Sequence, residues 1–143
     1  MRPKVLVTGG TGYIGSHTIL DLLENGCDAV CVDSCINSDT SCLKAIKELT
    51  GTEIPFYKAD LCDLKATEQV FRDHPDIAGI IHFAALKAVG ESVEKPLLYF
   101  RNNLESLINI LDLSLRYGVK AFIFSSSCTV YGDVTHSPVD ENT

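Results

Sequence analysis

The 143-residue sequence contains no run approaching the ~20 apolar residues of a membrane span, so no membrane crossing is expected. Its opening, Met1-Arg2-Pro3-Lys4, leads into too short an apolar run, and then glycines, to be a signal peptide. Six cysteines are present, Cys27, Cys31, Cys35, Cys42, Cys62 and Cys128, yet no two form a C-x-x-C pair and no histidine stands at a zinc-finger offset. No metal site is therefore expected, and the thiols read as free and mostly buried in a reducing cytoplasm, a redox role being the lesser alternative. The histidines, His17, His74, His82 and His136, are scattered and read as packing or surface residues. Positive charge is scarce: 12 Lys and Arg stand against 19 Asp and Glu, giving a net charge of −7. With no basic stripe, that excludes a general nucleic-acid or anionic-membrane surface. A local anion site made of backbone amides remains open, because amides carry no formal charge. Internal repeats, linkers and low-complexity segments are also missing, which leaves one domain over residues 1–143.

What the sequence does contain begins at once. Lys4-Val5-Leu6-Val7 reads as a buried strand that breaks into Thr8-Gly9-Gly10-Thr11-Gly12-Tyr13-Ile14-Gly15. Gly10, Gly12 and Gly15 fit the G-x-G-x-x-G dinucleotide fingerprint, and Gly9, Gly12 and Gly15 fit its G-x-x-G-x-x-G variant. One glycine makes the tight turn, one admits a pyrophosphate against the backbone, and one lets the helix pack close to the strand. Tyr13 to Asn25 reads as that helix, with Ile14, Thr18, Ile19, Leu22 and Leu23 on one face and Gly26 as its stop. Ala29-Val30-Cys31-Val32 is a second strand, ending on Asp33, 18 residues beyond Gly15. A dinucleotide fold places its acidic ribose ligand about 20 residues on. A carboxylate there accepts from ribose hydroxyls and repels a 2′-phosphate, and no Arg follows to rescue one, so NAD is favoured over NADP. Alone, Asp33 could simply open the turn Asp33 to Ser38; its place after a strand–turn–helix unit favours the ribose role.

The pattern then repeats. Leu43, Ile46 and Leu49 predict a short helix closed by Gly51. Ile54-Pro55-Phe56-Tyr57 leads a third strand into Ala59-Asp60-Leu61, and Pro55 fits an edge. Asp63 can cap a helix carrying Leu64, Thr67, Val70 and Phe71, ended by His74-Pro75. Gly79 to Ala85 is a fourth strand and its exit. Pro96 can start a long helix whose apolar stripe is Leu97, Phe100, Leu104, Leu107, Ile108, Leu111 and Leu115, closed by Gly118. Ala121-Phe122-Ile123-Phe124 is a fifth strand running into Ser125-Ser126-Ser127, and Gly132 to Thr143 reads as a loop. Alternating strands and helices predict an α/β, Rossmann-like doubly wound parallel sheet of five strands in the order 3-2-1-4-5. The ligand crevice should lie between the ends of strands 1 and 4.

Three segments carry a resemblance in register over the whole chain. Thr8-Gly9-Gly10-Thr11-Gly12-Tyr13-Ile14-Gly15-Ser16-His17 resembles the opening of an extended short-chain dehydrogenase/reductase. His82-Phe83-Ala84-Ala85-Leu86-Lys87-Ala88-Val89-Gly90-Glu91-Ser92 closely resembles a segment typical of the UDP-glucose (UDP-galactose) 4-epimerase family. Phe124 to Asp133 resembles that family's S-S-S-A-T-V-Y-G segment. The resemblance implies an isomerase of galactose metabolism: NAD removes hydride from C4 of a UDP-sugar, a tyrosine takes the hydroxyl proton, and the 4-keto sugar takes hydride back on its other face. It also implies a homodimer for the complete enzyme.

The resemblance carries roles onto particular residues. It sets Tyr13 and Ile14 beside the pyrophosphate with Gly9, Gly12 and Gly15. Asp33 holds the adenine ribose near Asn37 and Ser38, and Asp60 and Leu61 flank the adenine. Phe83, Ala84 and Lys87 line the crevice past the fourth strand, Asn102 reaches the cofactor from the long helix, and Ser125 closes the nicotinamide side. Ser127 matches a serine of the proton path and is the one catalytic assignment. Lys87, Ser127 and Thr129 lie toward the substrate. Taken alone, Lys87 could be a solvated loop lysine, Asn102 and Asn103 surface polars, and Ser125 to Ser127 a plain turn.

The departures are as informative. The family's catalytic Y-x-x-x-K comes some 25 residues beyond the triple serine, and no such pair occurs here: Tyr117 to Lys120 has the wrong spacing, and four residues past Tyr131 lies Thr135. The expectation is a dinucleotide domain incomplete at its C-terminal end, without the family's later strands and substrate domain, and inactive by itself. Smaller departures fall at Ser34, Ala85, Cys128 and Ser106-Leu107, where the family often has Asn, Gly, Ala and Gly-Thr. The alternatives are a non-catalytic NAD-binding module, or another sugar-nucleotide dehydratase or decarboxylase. The latter usually carry an acidic residue after the Ser/Thr pair, which Ser127-Cys128-Thr129 lacks.

Overall fold

The computed structural model describes residues 2–134 and 136–143, without the Cys128 side chain; the reading of Cys128 as a free thiol lies outside the described residues. The strand β1 (Lys4–Thr8) shows how the sheet is covered on both sides. Successive side chains of a strand point to opposite faces. Leu6 joins one apolar cluster and Val7 the other, and both are fully buried. β2 (Asp28–Asp33) does the same, with Val30 and Val32 on Leu6's side and Ala29 and Cys31 on Val7's.

The helices that cover these faces are α1 (Tyr13–Glu24) and α2 (Ser41–Thr50) on one side, through Ile19, Leu23 and Ile46. On the other side lie α3 (Leu64–Asp73) and the 21-residue α5 (Pro96–Arg116), through Val70, Phe71, Ile110 and Leu113. Each fully buried Leu, Ile or Phe contributes roughly 1.5–3 kcal/mol relative to exposure. With β3 (Phe56–Lys58), β4 (Ile77–His82) and β5 (Ala121–Phe124), the sheet has five parallel strands in the order 3-2-1-4-5, the predicted topology.

Local chemistry explains the element ends. Asp63 caps α3 by accepting from the amides of Lys65 (3.0 Å) and Ala66 (3.1 Å). Pro96 occupies the first turn of α5, where its missing N–H costs no bond. Gly51 ends α2 in the left-handed conformation. β3 is an edge strand, as Pro55 implied, but it is shorter than expected; Ala59 to Leu61 form the turn that leads to α3.

Two elements are additional to the sequence reading: a short helix α4 (Val89–Glu94) and a 3-10 turn (Cys128–Tyr131). The apolar stripe of α5 proves to lie mostly on its outer face, with Leu107 packed against the core. Leu97, Phe100, Leu104, Ile108 and Leu115 are exposed, while Tyr99, Ser106, Ile110, Leu113 and Ser114 are buried. Ser106, at a position where glycine was the resemblance's frequent residue, is accommodated with its hydroxyl on the Asn103 carbonyl at 3.2 Å. Among the described residues, no helix is long and apolar enough to cross a membrane.

Candidate functional site

The site is built where the strand order reverses, between the C-terminal ends of β1 and β4. Parallel strands 1 and 4 are in register there, Thr8 opposite His82. β1 runs into a turn so tight that its glycines are in mutual contact. Gly9 has φ +67, and a Cβ on it would lie 2.9 Å from the Ala84 nitrogen. A Cβ on Gly15 would overlap the Gly9 carbonyl oxygen and lie 2.8 Å from the Gly10 Cα. The glycines thus let α1 start directly against the end of β1. Gly12 is the N-cap of α1; no side chain caps the helix, and no acidic residue stands in its first turn. The first amides, Tyr13 and Ile14 among them, have no intrahelical acceptor. Their side chains are exposed, so it is backbone that the turn offers to the cleft. A helix N-terminus of this kind favours an anion.

Asp33 ends β2 beside this turn. Its Oδ2 accepts from the Thr11 amide at 3.1 Å, and its Oδ1 accepts from the Cys35 amide at 2.9 Å and the Ser38 hydroxyl at 3.4 Å. Asp33 opens its own turn through Cys35, and it is tethered to the glycine turn through Thr11. Thr11 also pairs its hydroxyl with that of Ser38 at 2.6 Å and is itself buried. Sequence reasoning missed Thr11, although its place between two fingerprint glycines was a usable signal.

On the opposite wall, Thr8 and His82 are buried and joined, Oγ1 to Nδ1, at 2.8 Å. Thr8 Oγ1 also accepts from the Ala84 amide at 3.3 Å, which ties the exit of β4 to the end of β1. Burial holds the His82 imidazole well below its usual range, at about 4, so it is neutral at pH 7. It stacks near the rings of Phe122 and Phe124. This pair was also missed, because it depends on the register of two strands 74 residues apart.

These walls enclose an open cleft of about 850 Å³. The residues assigned to cofactor or substrate line it, apart from the fingerprint glycine Gly10: Gly9, Gly12, Tyr13, Ile14 and Gly15 at the turn, and Asp33, Asn37 and Ser38 beyond β2. Asp60 and Leu61 come from the β3–α3 turn, Phe83, Ala84 and Lys87 from the exit of β4, and Asn102 from α5. Ser125, Ser127 and Thr129 come from beyond β5. Ser127 and Thr129 are exposed and bonded to each other, hydroxyl to hydroxyl, at 2.8 Å. Ser34, Leu86, Tyr99 and Asn103 also line the cleft.

The five described cysteines are free thiols. Cys31, Cys35 and Cys42 surround the Asp33 side of the site, and Cys62 lies beside Asp60. Burial pushes Cys31 and Cys42 up, with the Asp33 charge adding to it, and burial and Asp60 push Cys62 up to about 11. Protonated thiols beside carboxylates are poor nucleophiles. Among the described residues, no cluster of three His, Cys, Asp or Glu side chains could hold a metal ion.

A doubly wound parallel sheet, with a glycine turn at its switch point and a carboxylate ending the second strand, defines the Rossmann-like class of domain. Comparison with known proteins narrows that class. The chain belongs to the NAD dependent epimerase/dehydratase family, whose sequence profile matches residues 5–143. It is 47% identical over 145 residues to UDP-glucose 4-epimerase of Caenorhabditis elegans, covering 96% of this chain and 41% of that one. To UDP-glucose 4-epimerase of Bacillus subtilis it is 49% identical over 138 residues, covering 96% and 40%. Its fold superposes on UDP-glucose 4-epimerase from Bifidobacterium longum, in complex with NAD⁺ and UDP. The TM-score is 0.92 at 44% identity, covering 96% of this chain and 41% of that one. The Stenotrophomonas maltophila enzyme, with bound NAD and formylated UDP-arabinopyranose, gives 0.91 at 45%, covering 98% and 41%. The chain thus spans about two fifths of the length of the relatives it matches.

Proposed function

We propose that these residues form the NAD-holding part of a UDP-glucose 4-epimerase. The observation that carries the reading is the Asp33 carboxylate, tethered to Thr11 of the glycine turn at 3.1 Å and opening on the cleft. Its support in kinship is the 44–49% identity to UDP-glucose 4-epimerases, two of them solved with NAD.

The residues present fit a dinucleotide. The turn has no room for a Cβ at Gly9 or Gly15, so backbone amides rather than side chains meet the pyrophosphate. The amides of Tyr13 and Ile14, at the positive end of α1, would face it. Asp33 accepts from the adenine ribose hydroxyls and, through its charge, turns away a 2′-phosphate; Asn37 and Ser38 stand beside it. Asp60 and Leu61 would flank the adenine, Phe83 and Ala84 form the wall at the exit of β4, Asn102 would reach the cofactor from α5, and Ser125 would close the nicotinamide side. Bound NAD supplies a hydride acceptor and donor for C4 of the sugar. Lys87, Ser127 and Thr129 face the sugar nucleotide, and the Ser127 hydroxyl hydrogen-bonds in the path of the C4 hydroxyl proton. The general base of that step, the tyrosine of a Y-x-x-x-K pair, is not among the 143 residues.

The complete enzyme is thus read as a cytoplasmic homodimer acting on UDP-sugars. These 143 residues are read as its incomplete dinucleotide domain, which binds but does not turn over. A positioned general base is worth roughly 10²–10⁴ in rate. Purified 143-residue protein, assayed for conversion of UDP-galactose to UDP-glucose, should fall at least that far below a full-length epimerase. Turnover near the full-length rate would refute the assignment of the base to the missing pair. The absence of Y-x-x-x-K equally suits a non-catalytic NAD-binding module. Fusing the chain to the C-terminal part of a relative separates the two: recovery of turnover supports the epimerase, and failure of a folded, NAD-loaded fusion supports the module.

A further inference from the structure

We propose that Asn103 is a positioning residue of the cleft, whose carboxamide fixes the Leu86-Lys87 backbone over the cofactor; this rests on the reading of the cleft as an NAD site. Asn103 lies on α5, half-buried and facing the loop between β4 and α4. Its Oδ1 accepts from the Leu86 amide at 2.8 Å, and its Nδ2 donates to the Leu86 carbonyl at 2.9 Å. The two bonds occupy both backbone groups of one residue, as a neighbouring strand would. Only a carboxamide of this length offers a donor and an acceptor side by side. An aspartate keeps the acceptor and loses the donor. The same Oδ1 accepts from Asn102 Nδ2 at 3.0 Å, so one side chain orients a cleft residue from each wall.

The loop needs such an anchor. It leaves β4 at His82 and reaches α4 only at Val89. Thr8 pins its start, by the Phe83 amide to the Thr8 carbonyl at 3.1 Å and the Ala84 amide to Thr8 Oγ1 at 3.3 Å. Asn103 pins its middle, immediately before Lys87. Asn103 is in turn held by the Ser106 hydroxyl on its own carbonyl. Ala85, Leu86 and Lys87 all line the cleft, so the geometry of this loop sets the shape of that wall.

The test is equilibrium NAD binding to the 143-residue chain and its Asn103→Ala, Lys87→Ala and double variants, with hydrogen exchange of the Leu86 amide. Asn103→Ala should weaken NAD roughly ten-fold and speed Leu86 exchange by a similar factor, about the loss of a net hydrogen bond or two. In the double variant, the Lys87 substitution should add little, because Lys87 is already misplaced. If Asn103→Ala does not fold, Asn103→Asp removes only the donor to the Leu86 carbonyl and should weaken NAD in the same direction. NAD affinity within two-fold of wild type in the folded variant, or additive effects in the double variant, overturns the role of Asn103. A wild-type chain without saturable NAD binding overturns the reading of the cleft, and the proposal with it.

Discussion

Replacing three glycines by alanine, one at a time, separates what the glycine turn requires from what glycine merely permits. Gly26 has φ +81 and nothing within 4 Å of a would-be Cβ, so Gly26→Ala meets only the backbone cost. That cost is ~1–2 kcal/mol for the left-handed region, offset by ~0.4–1 kcal/mol from the stiffer unfolded chain. Gly15 is helical, and alanine there should gain up to about 1 kcal/mol in propensity. Its Cβ, however, meets the backbone of Gly9 and Gly10, which cannot rotate aside, and such overpacking costs roughly 1–3 kcal/mol. Gly9 bears both burdens: φ +67, and a Cβ at 2.9 Å from the Ala84 nitrogen and 3.0 Å from the Phe83 carbonyl carbon. Its loss should reach roughly 2–4 kcal/mol, with the exit of β4 pushed off the end of β1. Urea unfolding followed by circular dichroism reads all three. Gly9→Ala and Gly15→Ala should both be more destabilising than Gly26→Ala. Gly9→Ala no worse than Gly26→Ala, or a stabilised Gly15→Ala, would show that the close approach at the switch point is not real.

Two further outcomes follow from the same geometry. His82 is neutral when folded, with a value of about 4 against 6.5 when free. The unfolded chain therefore binds more protons between these values, so stability should fall as pH drops from about 6.5 towards 4, by at most about 3 kcal/mol. Urea midpoints across that window should drop in the wild type and much less in His82→Gln; parallel curves would contradict it. The second outcome concerns association. β5 ends the sheet with Ile123 and Phe124 more than half exposed. Unpaired apolar strand edges of this kind pair with other chains. Size-exclusion chromatography with light scattering should show concentration-dependent self-association, and a clean monomer at high concentration would count against it.

Most of the sheet was legible because its signals are local. The glycine turn, the helix stop at Gly26, the Asp63 cap and the Pro96 start each involve a few neighbouring residues. The offset of Asp33 was legible too, since one strand–turn–helix unit fixes it. What could not be read depended on contacts distant in sequence. The Thr8–His82 pair needs the register of β1 and β4, and the Asn103–Leu86 clamp needs α5 to pass over a loop. α4 has six residues, too few for a helical period to show. The long helix carried the opposite difficulty. Its apolar stripe was plain in the sequence, yet the buried side is the one that mixes Tyr99, Ser106 and Ser114 with Ile110 and Leu113. Hydrophobic periodicity finds a stripe but does not say which partner covers it.

The cleft at the switch point is read as holding NAD through the turn and Asp33. Isothermal titration of the purified 143-residue chain with NAD, NADP and NAD plus the Asp33→Ala variant tests it most directly. Asp33→Ala removes the ribose acceptor and leaves the Thr11 and Cys35 amides without their shared carboxylate. One saturable site for NAD is expected, with clearly weaker binding of NADP and a loss of at least ten-fold in Asp33→Ala, about the worth of one charge-assisted hydrogen bond. Absence of saturable NAD binding, or equal binding of NAD and NADP by wild type and variant alike, would contradict it.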